Sequence, residues 1–389
     1  MSRHISVGID LGSHATRVVV LESDTKKRGF HIAGTGLAKS AGVRHGYVVN
    51  QKEASQSIRE ALVVAEKSAQ VKIRRALISI GGLSLEGIVG YGSHIISRVD
   101  GEVGALDIKQ VVKASESQAP LANKRIIREF PLFFKLDTKE VLGDPTGMHG
   151  NKLETKVLFV ASLAQHFENL VRSVENAGIE VEDVVPSPFA ASIVALTKAQ
   201  RTAGCVLANI GAETVSIVVF EDDRPLSLQV FPLGGRDVTN DVALGLRVSL
   251  EEAETIKTTG RSQKEYPHKK IEEIVNARLV DMFDLIEAHL KKINKNWLLP
   301  AGIIFIGGSA HFRSIEDLAR TSLRLPARVA GPFAGGQEKT LDTAWAVAYG
   351  LALLGFDDSY TDNPFHLNDL TGLKDPLSKV LSWAKQFLP

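Results

Sequence analysis

Cysteine is almost absent from this sequence: Cys205 is the only one in 389 residues. A lone thiol excludes an internal disulfide framework and a cysteine-ligated zinc site, and it suits a reducing compartment. Excess charge of either sign is missing too. Forty-six Lys and Arg face 45 Asp and Glu, a net charge of +1, which argues against a chain-wide nucleic-acid surface. No apolar run approaches the roughly 20 residues that span a bilayer, and the opening MSRHISVGIDLGS lacks the apolar stretch of a signal peptide. The phosphate-loop pattern G-x-x-x-x-G-K-[ST] and the nucleophile pattern G-x-S-x-G do not occur. No complete G-x-G-x-x-G follows a strand, and the 11 histidines show no H-x-x-x-H spacing. No catalytic nucleophile–base pair is therefore expected. What is present is core-forming material, 44% apolar against 23% charged residues, in a chain whose length predicts about two domains. Composition alone describes a soluble, cytosolic, multidomain α/β protein.

The chain repeats its own opening. In ISVGIDLGSHATRVVVLE (5–22) an apolar run reaches Asp10, Gly12 follows, and a second run covers Val18–Leu21. In VLANIGAETVSIVVFE (206–221) Asn209 stands where Asp10 stood and Gly211 where Gly12 stood, at a constant offset of 199. Two β-rich runs across a Gly-containing connection predict a hairpin in each place. Such turns aim backbone N–H groups into a concavity that suits an anion. Asp10 is placed to hold a hydrated Mg²⁺, which takes one or two carboxylates plus phosphate oxygens and waters. A third glycine turn follows a strand at IIFIGGSAHF (303–312), where Gly307 and Gly308 let the chain approach a flat ligand closely. Helical spacing predicts core-facing stripes on 51–69 (Ala54, Ile58, Ala61, Leu62, Ala65) and on 271–293 (Ile274, Val275, Val280, Phe283, Ile286, Leu290).

This order of motifs resembles the actin-like ATPase superfamily and, within it, the bacterial cell-division family FtsA. The specific likeness lies in AKSAGVRHGYVVNQKEASQSIREALVVAEKSA (38–69), LGDPTGMHGNKLE (142–154), VENAGIEVEDVVPSPFAASIVAL (174–196) and FPLGGRDVTNDVALGLRVSLEEAETIK (231–257). The pilus family PilM shares the fold and a similar first hairpin, but fits 142–154 and the C-terminal features less well. The resemblance implies duplicated ribonuclease H-like domains. Subdomain 1A takes 1–83 and 164–190, with an inserted subdomain 1C at 84–163. Subdomain 2A takes 191–234 and 298–339, with 2B at 235–297, a return helix at 340–355 and a linker at 356–376.

The resemblance also implies ATP and Mg²⁺ as ligands. Carried over by position, the first phosphate loop is Asp10, Gly12, Ser13 and Arg17, with Asp10 reaching Mg²⁺ through water. Arg17 stands where the family commonly has Lys, and its planar fork differs from an ammonium point charge. The second loop is Asn209, Gly211 and Thr214, where the family resembles D-I-G-G-G-T-T-D. Gly234 and Gly235 resemble the turn beneath the terminal phosphates, Glu254 and Lys257 the pair reaching ribose and base, and Gly307, Gly308 and Ser309 the adenosine turn. In the second loop two glycines and both acids are replaced. Ala212 and Glu213 are expected to restrict positive φ, and Glu213 to bring a carboxylate toward the phosphates. Asn209 contributes no negative charge to hold a metal, so hydrolysis is expected to be very slow or absent.

After Gly355 the chain turns polar and turn-rich, then ends in LSKVLSWAKQFLP (377–389). Leu377, Val380, Leu381, Ala384, Phe387 and Leu388 share one helical face, bordered by Trp383, with lysines opposite. That pattern suits a helix lying in a membrane interface. The resemblance implies the cytoplasmic face of the inner membrane at the division site, with three kinds of partner. These are the C-terminal peptide of the tubulin-like protein FtsZ (through 2B), further copies of this chain in a head-to-tail filament, and other septum-forming proteins. Arg236, Lys257, Arg261, Lys264, Lys269 and Lys270 make 2B locally basic. A PilM-like scaffold of a pilus or secretion machine and an active ATPase of the same fold are the alternatives.

Overall fold

A computed structural model describes residues 4–24, 29–141, 143–260, 266–334 and 340–356. The Leu377–Leu388 stripe and most of the linker lie outside the described residues. Two five-stranded sheets carry the chain, and they share one topology. The first runs Glu180–Pro186, Arg75–Ile80, Ile5–Leu11, Ala15–Asp24, Gly29–Lys39; the second runs Ala327–Val329, Ile303–Ile306, Cys205–Ile210, Val215–Glu221, Arg224–Phe231. In both, the first three strands are parallel and the last two return antiparallel. The central strands are near-continuous apolar runs because helices cover both faces, as buried parallel pairs require.

Between the sheets lie two short helices, Ser187–Ala195 and Ala346–Leu354. Every residue of Ala346–Leu354 is buried, the signature of a helix apolar all round. The two cross so closely that a Cβ at Gly350 would overlap the carbonyl oxygen of Ala190. Phe356, just beyond, stacks on Phe30 with centroids 5.7 Å apart.

The outer face of the first sheet is covered by Gln51–Ala69, on which all five residues of the expected stripe are buried. Gly235–Leu246, Leu250–Thr259 and His268–Lys292 cover the second sheet. On the last of these Val275, Phe283, Ile286 and Leu290 are buried as expected, with Leu279 and Met282. Ile274 and Val280 are only partly buried. A smaller unit leaves the first sheet after Arg75–Ile80: four strands ordered Glu86–Ile95, Lys152–Leu163, Lys124–Leu136, Lys139–Val141, with Ala105–Gln118 on one face. Among the described residues no helix is long and apolar enough to cross a membrane.

The crossing at Gly350 leaves no room for a methyl group. Gly350→Ala is expected to cost roughly 1–3 kcal/mol through overpacking, read as a lowered urea midpoint. His289, hydrogen-bonded to Ser227 at 3.1 Å, gives a pH signature. Desolvation first, and the Lys292 charge second, push its imidazole down from 6.5 to about 4. The unfolded chain therefore binds this proton more readily. Stability from a neutral His289 is complete above about pH 6.5 and drains away as pH falls toward 4. Melting curves of wild type and His289→Gln across that window should diverge, the variant losing less on acidification.

Candidate functional site

The two hairpins both line a cleft of about 570 Å³, and they correspond residue by residue in register. Asp10 pairs with Arg17 and Asn209 with Ser216. The Gly12 amide donates to the Ala15 carbonyl at 3.2 Å, and the Gly211 amide to the Thr214 carbonyl at 2.9 Å. Each partner sits at the offset of 199 seen in the sequence. Ser13, His14, Ala212 and Glu213 line the cleft, and their backbone amides find no acceptor among the described residues. Two opposed turns with free N–H groups make a concavity that suits an anion.

Of the predicted residues, Asp10, Gly12, Ser13, Arg17, Asn209, Gly211, Thr214, Gly235, Glu254, Lys257, Gly307, Gly308 and Ser309 all line this cleft. Gly234 stands behind it, packed so tightly on Ala212 and Glu213 that a Cβ would meet the Ala212 carbonyl at 2.6 Å. Gly307, at φ +98°, abuts the Asn209 side chain and the Ile210 carbonyl. A side chain there would be strained and would strike the second hairpin.

Asp10 accepts a hydrogen bond from Ser79 at 2.7 Å. Desolvation raises its carboxyl above the ordinary value, opposed by Ser79 and Arg17. Among the described residues no group of three or more His, Cys, Asp or Glu side chains could cage a metal. A single carboxylate beside free amides fits the mode in which Mg²⁺ is shared with phosphate oxygens and water. Arg17 lies on an interior strand, its guanidinium 5.8 Å from the Trp345 ring centroid. Its buried Nε has no partner among the described residues.

Glu254 and Lys257 are not an ordinary surface pair. The Lys257 ammonium, 10% exposed, bonds Glu254 at 2.7 Å, the Thr239 hydroxyl at 2.8 Å and the Gly235 carbonyl at 3.0 Å. Burial pushes the Glu254 carboxyl up, but hydrogen bonds from Lys257 and Thr239 outweigh it and the net direction is down. Of the basic residues expected on 2B, Lys257 is turned into the cleft, Arg236 lines the cleft while staying exposed, Lys269 and Lys270 are exposed, and Arg261 and Lys264 lie outside the described residues. Ala212 and Glu213 adopt no positive φ, so the lost glycines leave no backbone strain. The Glu213 carboxylate is only 4% exposed and is ion-paired with Arg236 and Arg44. The sequence placed a carboxylate toward the phosphates, and the structure covers its charge with two arginines.

Sequence reasoning missed Gly81 and Gly82, which line the cleft after the Arg75–Ile80 strand. The signal was there: ISIGG (78–82) matches IFIGG (304–308), and these strands occupy equivalent places in the two sheets. Ser79, Gly46 and Ser187 complete that wall.

Comparison with known proteins is decisive at this point. A model of cell division protein FtsA matches residues 206–350, and a model of the SHS2 domain inserted in FtsA matches residues 86–161. The chain belongs to the FtsA family. Cell division protein FtsA of Pseudomonas aeruginosa is 28% identical over 373 residues, covering 90% of this chain and 88% of that protein. FtsA of Borreliella burgdorferi is 29% identical over 377 residues, with 91% of each covered. Among solved structures, the PilM–PilN type IV pilus biogenesis complex aligns at a TM-score of 0.67 and 19% identity, covering 90% of this chain and 98% of that one. MreB5 of Spiroplasma citri bound to ADP aligns at 0.53 and 12%, covering 93% and 98%. At such identities these two speak for the actin-like fold alone. In this FtsA-family chain the SHS2 match falls on the four-stranded unit, so the insertion and the actin-like frame stand together.

An exposed i,i+3 ion pair is worth a few tenths of a kcal/mol. Lys257→Ala, which strips the buried Thr239 hydroxyl and Gly235 carbonyl and the half-exposed Glu254 of one partner each, is expected to cost about 1–3 kcal/mol. Urea denaturation distinguishes the two: a loss of only a few tenths would return Lys257 to the surface class.

Proposed function

We propose that this FtsA-family chain binds ATP with Mg²⁺ in the cleft, turns it over very slowly or not at all, and tethers FtsZ filaments to the cytoplasmic membrane. The observation that carries the nucleotide half is the pair of equivalent hairpins presenting free amides to one concavity, flanked by Arg17 and Lys257. Ser13, His14, Ala212 and Glu213 would hold phosphate through their amides, Asp10 would hold Mg²⁺ through water, and Gly307–Ser309 with Glu254 and Lys257 would border the nucleoside. When bound, Mg²⁺ supplies charge neutralisation of the phosphate chain. Asn209 cannot share that load, which supports weak or absent hydrolysis.

The tethering half rests on family membership and on the apolar stripe of the terminal segment. Six half-buried apolar side chains give roughly 5–9 kcal/mol gross, and ordering a short segment that is marginal as a helix in water takes back a large part. One tail is a weak, reversible anchor. Many tails on one side of a head-to-tail filament would hold far more tightly through effective concentration. Filament assembly and membrane attachment are therefore coupled in this proposal, with the FtsZ peptide on subdomain 2B and other division proteins joining at the septum.

Co-sedimentation with liposomes and FtsZ polymers tests it. Wild type should carry FtsZ into the lipid pellet, and Trp383→Glu with Phe387→Glu should abolish lipid binding while sparing FtsZ binding. A pilus or secretion scaffold on the same fold would leave FtsZ in the supernatant. Calorimetry that shows no heat with millimolar ATP–Mg²⁺ would remove the nucleotide half, and turnover near 1 s⁻¹, an ordinary enzymic rate, would remove the claim of slow hydrolysis.

A further inference from the structure

Glu213 sits in the turn of the second hairpin, yet its carboxylate is turned away from solvent and held from three directions. Arg236, the second residue of Gly235–Leu246, pairs with Oε1. Arg44 Nε stands 3.6 Å from the same oxygen, and the His45 amide donates to Oε2 at 2.6 Å. Arg44 and His45 belong to the loop that the first half of the molecule extends over the cleft. That loop is tied to the first hairpin because the Gly46 amide donates to Ser13 Oγ at 2.9 Å. A chain of contacts thus runs from the first hairpin turn, through Gly46 and His45, to Glu213 on the second turn and on to Arg236 at the start of Gly235–Leu246. Arg236 is itself part of the cleft wall and 45% exposed, whereas Glu213 is 4% exposed.

The geometry points to Glu213 as an internal competitor of the nucleotide's terminal phosphate: it holds Arg236 in a bridge between the two hairpin turns, and a phosphate lodged between those turns draws Arg236 away. This inference rests on nucleotide binding in the cleft and adds the residues that set selectivity between a triphosphate and a diphosphate. An arginine fork offers five donors and serves carboxylate or phosphate equally well, so one acceptor displaces the other at little geometric cost. The Arg44 and His45 contacts let Glu213 stay buried when Arg236 leaves, since a buried carboxylate stripped of every partner would be far too unfavourable. The placement selects the terminal phosphate. The Arg236 amide donates to the Ala212 carbonyl at 2.7 Å in the second turn, and the Gly46 amide donates to Ser13 Oγ in the first, so the phosphate that both turns hold at once is the one that meets Glu213 and Arg236.

The experiment is calorimetric titration of the full-length protein with ATP–Mg²⁺ and ADP–Mg²⁺ in four forms: wild type, Glu213→Gln, Arg236→Gln and the double variant. Glu213→Gln should tighten ATP about tenfold, the size of one released charge-assisted contact, with ADP changing less than about twofold. Arg236→Gln should weaken ATP about tenfold relative to ADP, and adding it to Glu213→Gln should abolish the gain. If Glu213→Gln fails to fold, Arg236→Gln carries the test, because its side chain is half-exposed and its loss leaves Glu213 two partners. Equal shifts for ATP and ADP, or an unchanged ratio in Arg236→Gln, overturn the proposal while nucleotide binding stands. Wild type that binds neither ligand removes the nucleotide reading itself, and the competitor role falls with it.

Discussion

The width of the cleft is set just behind its Ser187 and Val347 lining, at the crossing of two small helices. Ser187–Ala195 and Ala346–Leu354 fill the space between the sheets, and Gly350 lets them meet with the Ala190 carbonyl against its Cα. Each helix is tied to one half of the molecule: Ser187–Ala195 continues from the outer strand of the first sheet and leads into the second, and Ala346–Leu354 returns from the second to pack on Ile5–Leu11. Gly8 repeats the device, since a Cβ there would overlap the Ala348 carbonyl. Close packing is bistable and resists continuous deformation, so the two hairpin turns are presented to each other at a fixed separation. The free amides of the two turns therefore line one shared cleft.

Much of this was legible in the sequence, because the informative features are local. A hairpin's register is carried by residues a few positions apart. An offset of 199 between Asp10 and Asn209 therefore persisted into the strand pairing, where Asp10↔Arg17 and Asn209↔Ser216 are equivalent partners. Helical stripes on 51–69 announced a core face for the same reason. The glycine turn at 81–82 escaped because its offset from 307–308 is 226, not 199. In the second half three helices fill the connection that a single helix makes in the first, so a search at one period passes over the match.

What the sequence could not disclose is partnership at long range. Glu213 reads as a stray acid in a phosphate loop until His45, 168 residues upstream, is seen donating to it. Lys257 reads as one end of an i,i+3 pair until the Thr239 hydroxyl and the Gly235 carbonyl are found on its ammonium. In both cases the charge belongs to the cleft because a separate element folds over it. Composition and spacing along one helix cannot carry that information.

The substitutions in the second loop form a coherent set once these contacts are in view. Replacing a metal-side acid by Asn209 removes negative charge from the cleft, and Glu213 brings one back on the other side of the turn, already neutralised by Arg44 and Arg236. The surroundings of His14 reflect the outcome: desolvation leads in depressing its imidazole, Glu254 opposes, and Arg17, Lys257 and Arg236 add to the depression. With Arg17, Lys257 and Arg236 all on its wall, the cleft suits an anion. Positioning a hydrolytic water demands donors and metal fixed around the terminal phosphate, whereas a ligand that only reports occupancy needs an anion site and a bridge that responds to it. The residues present supply the second set more fully than the first: two turns with free amides on one cleft, and Arg236 held at its wall by Glu213.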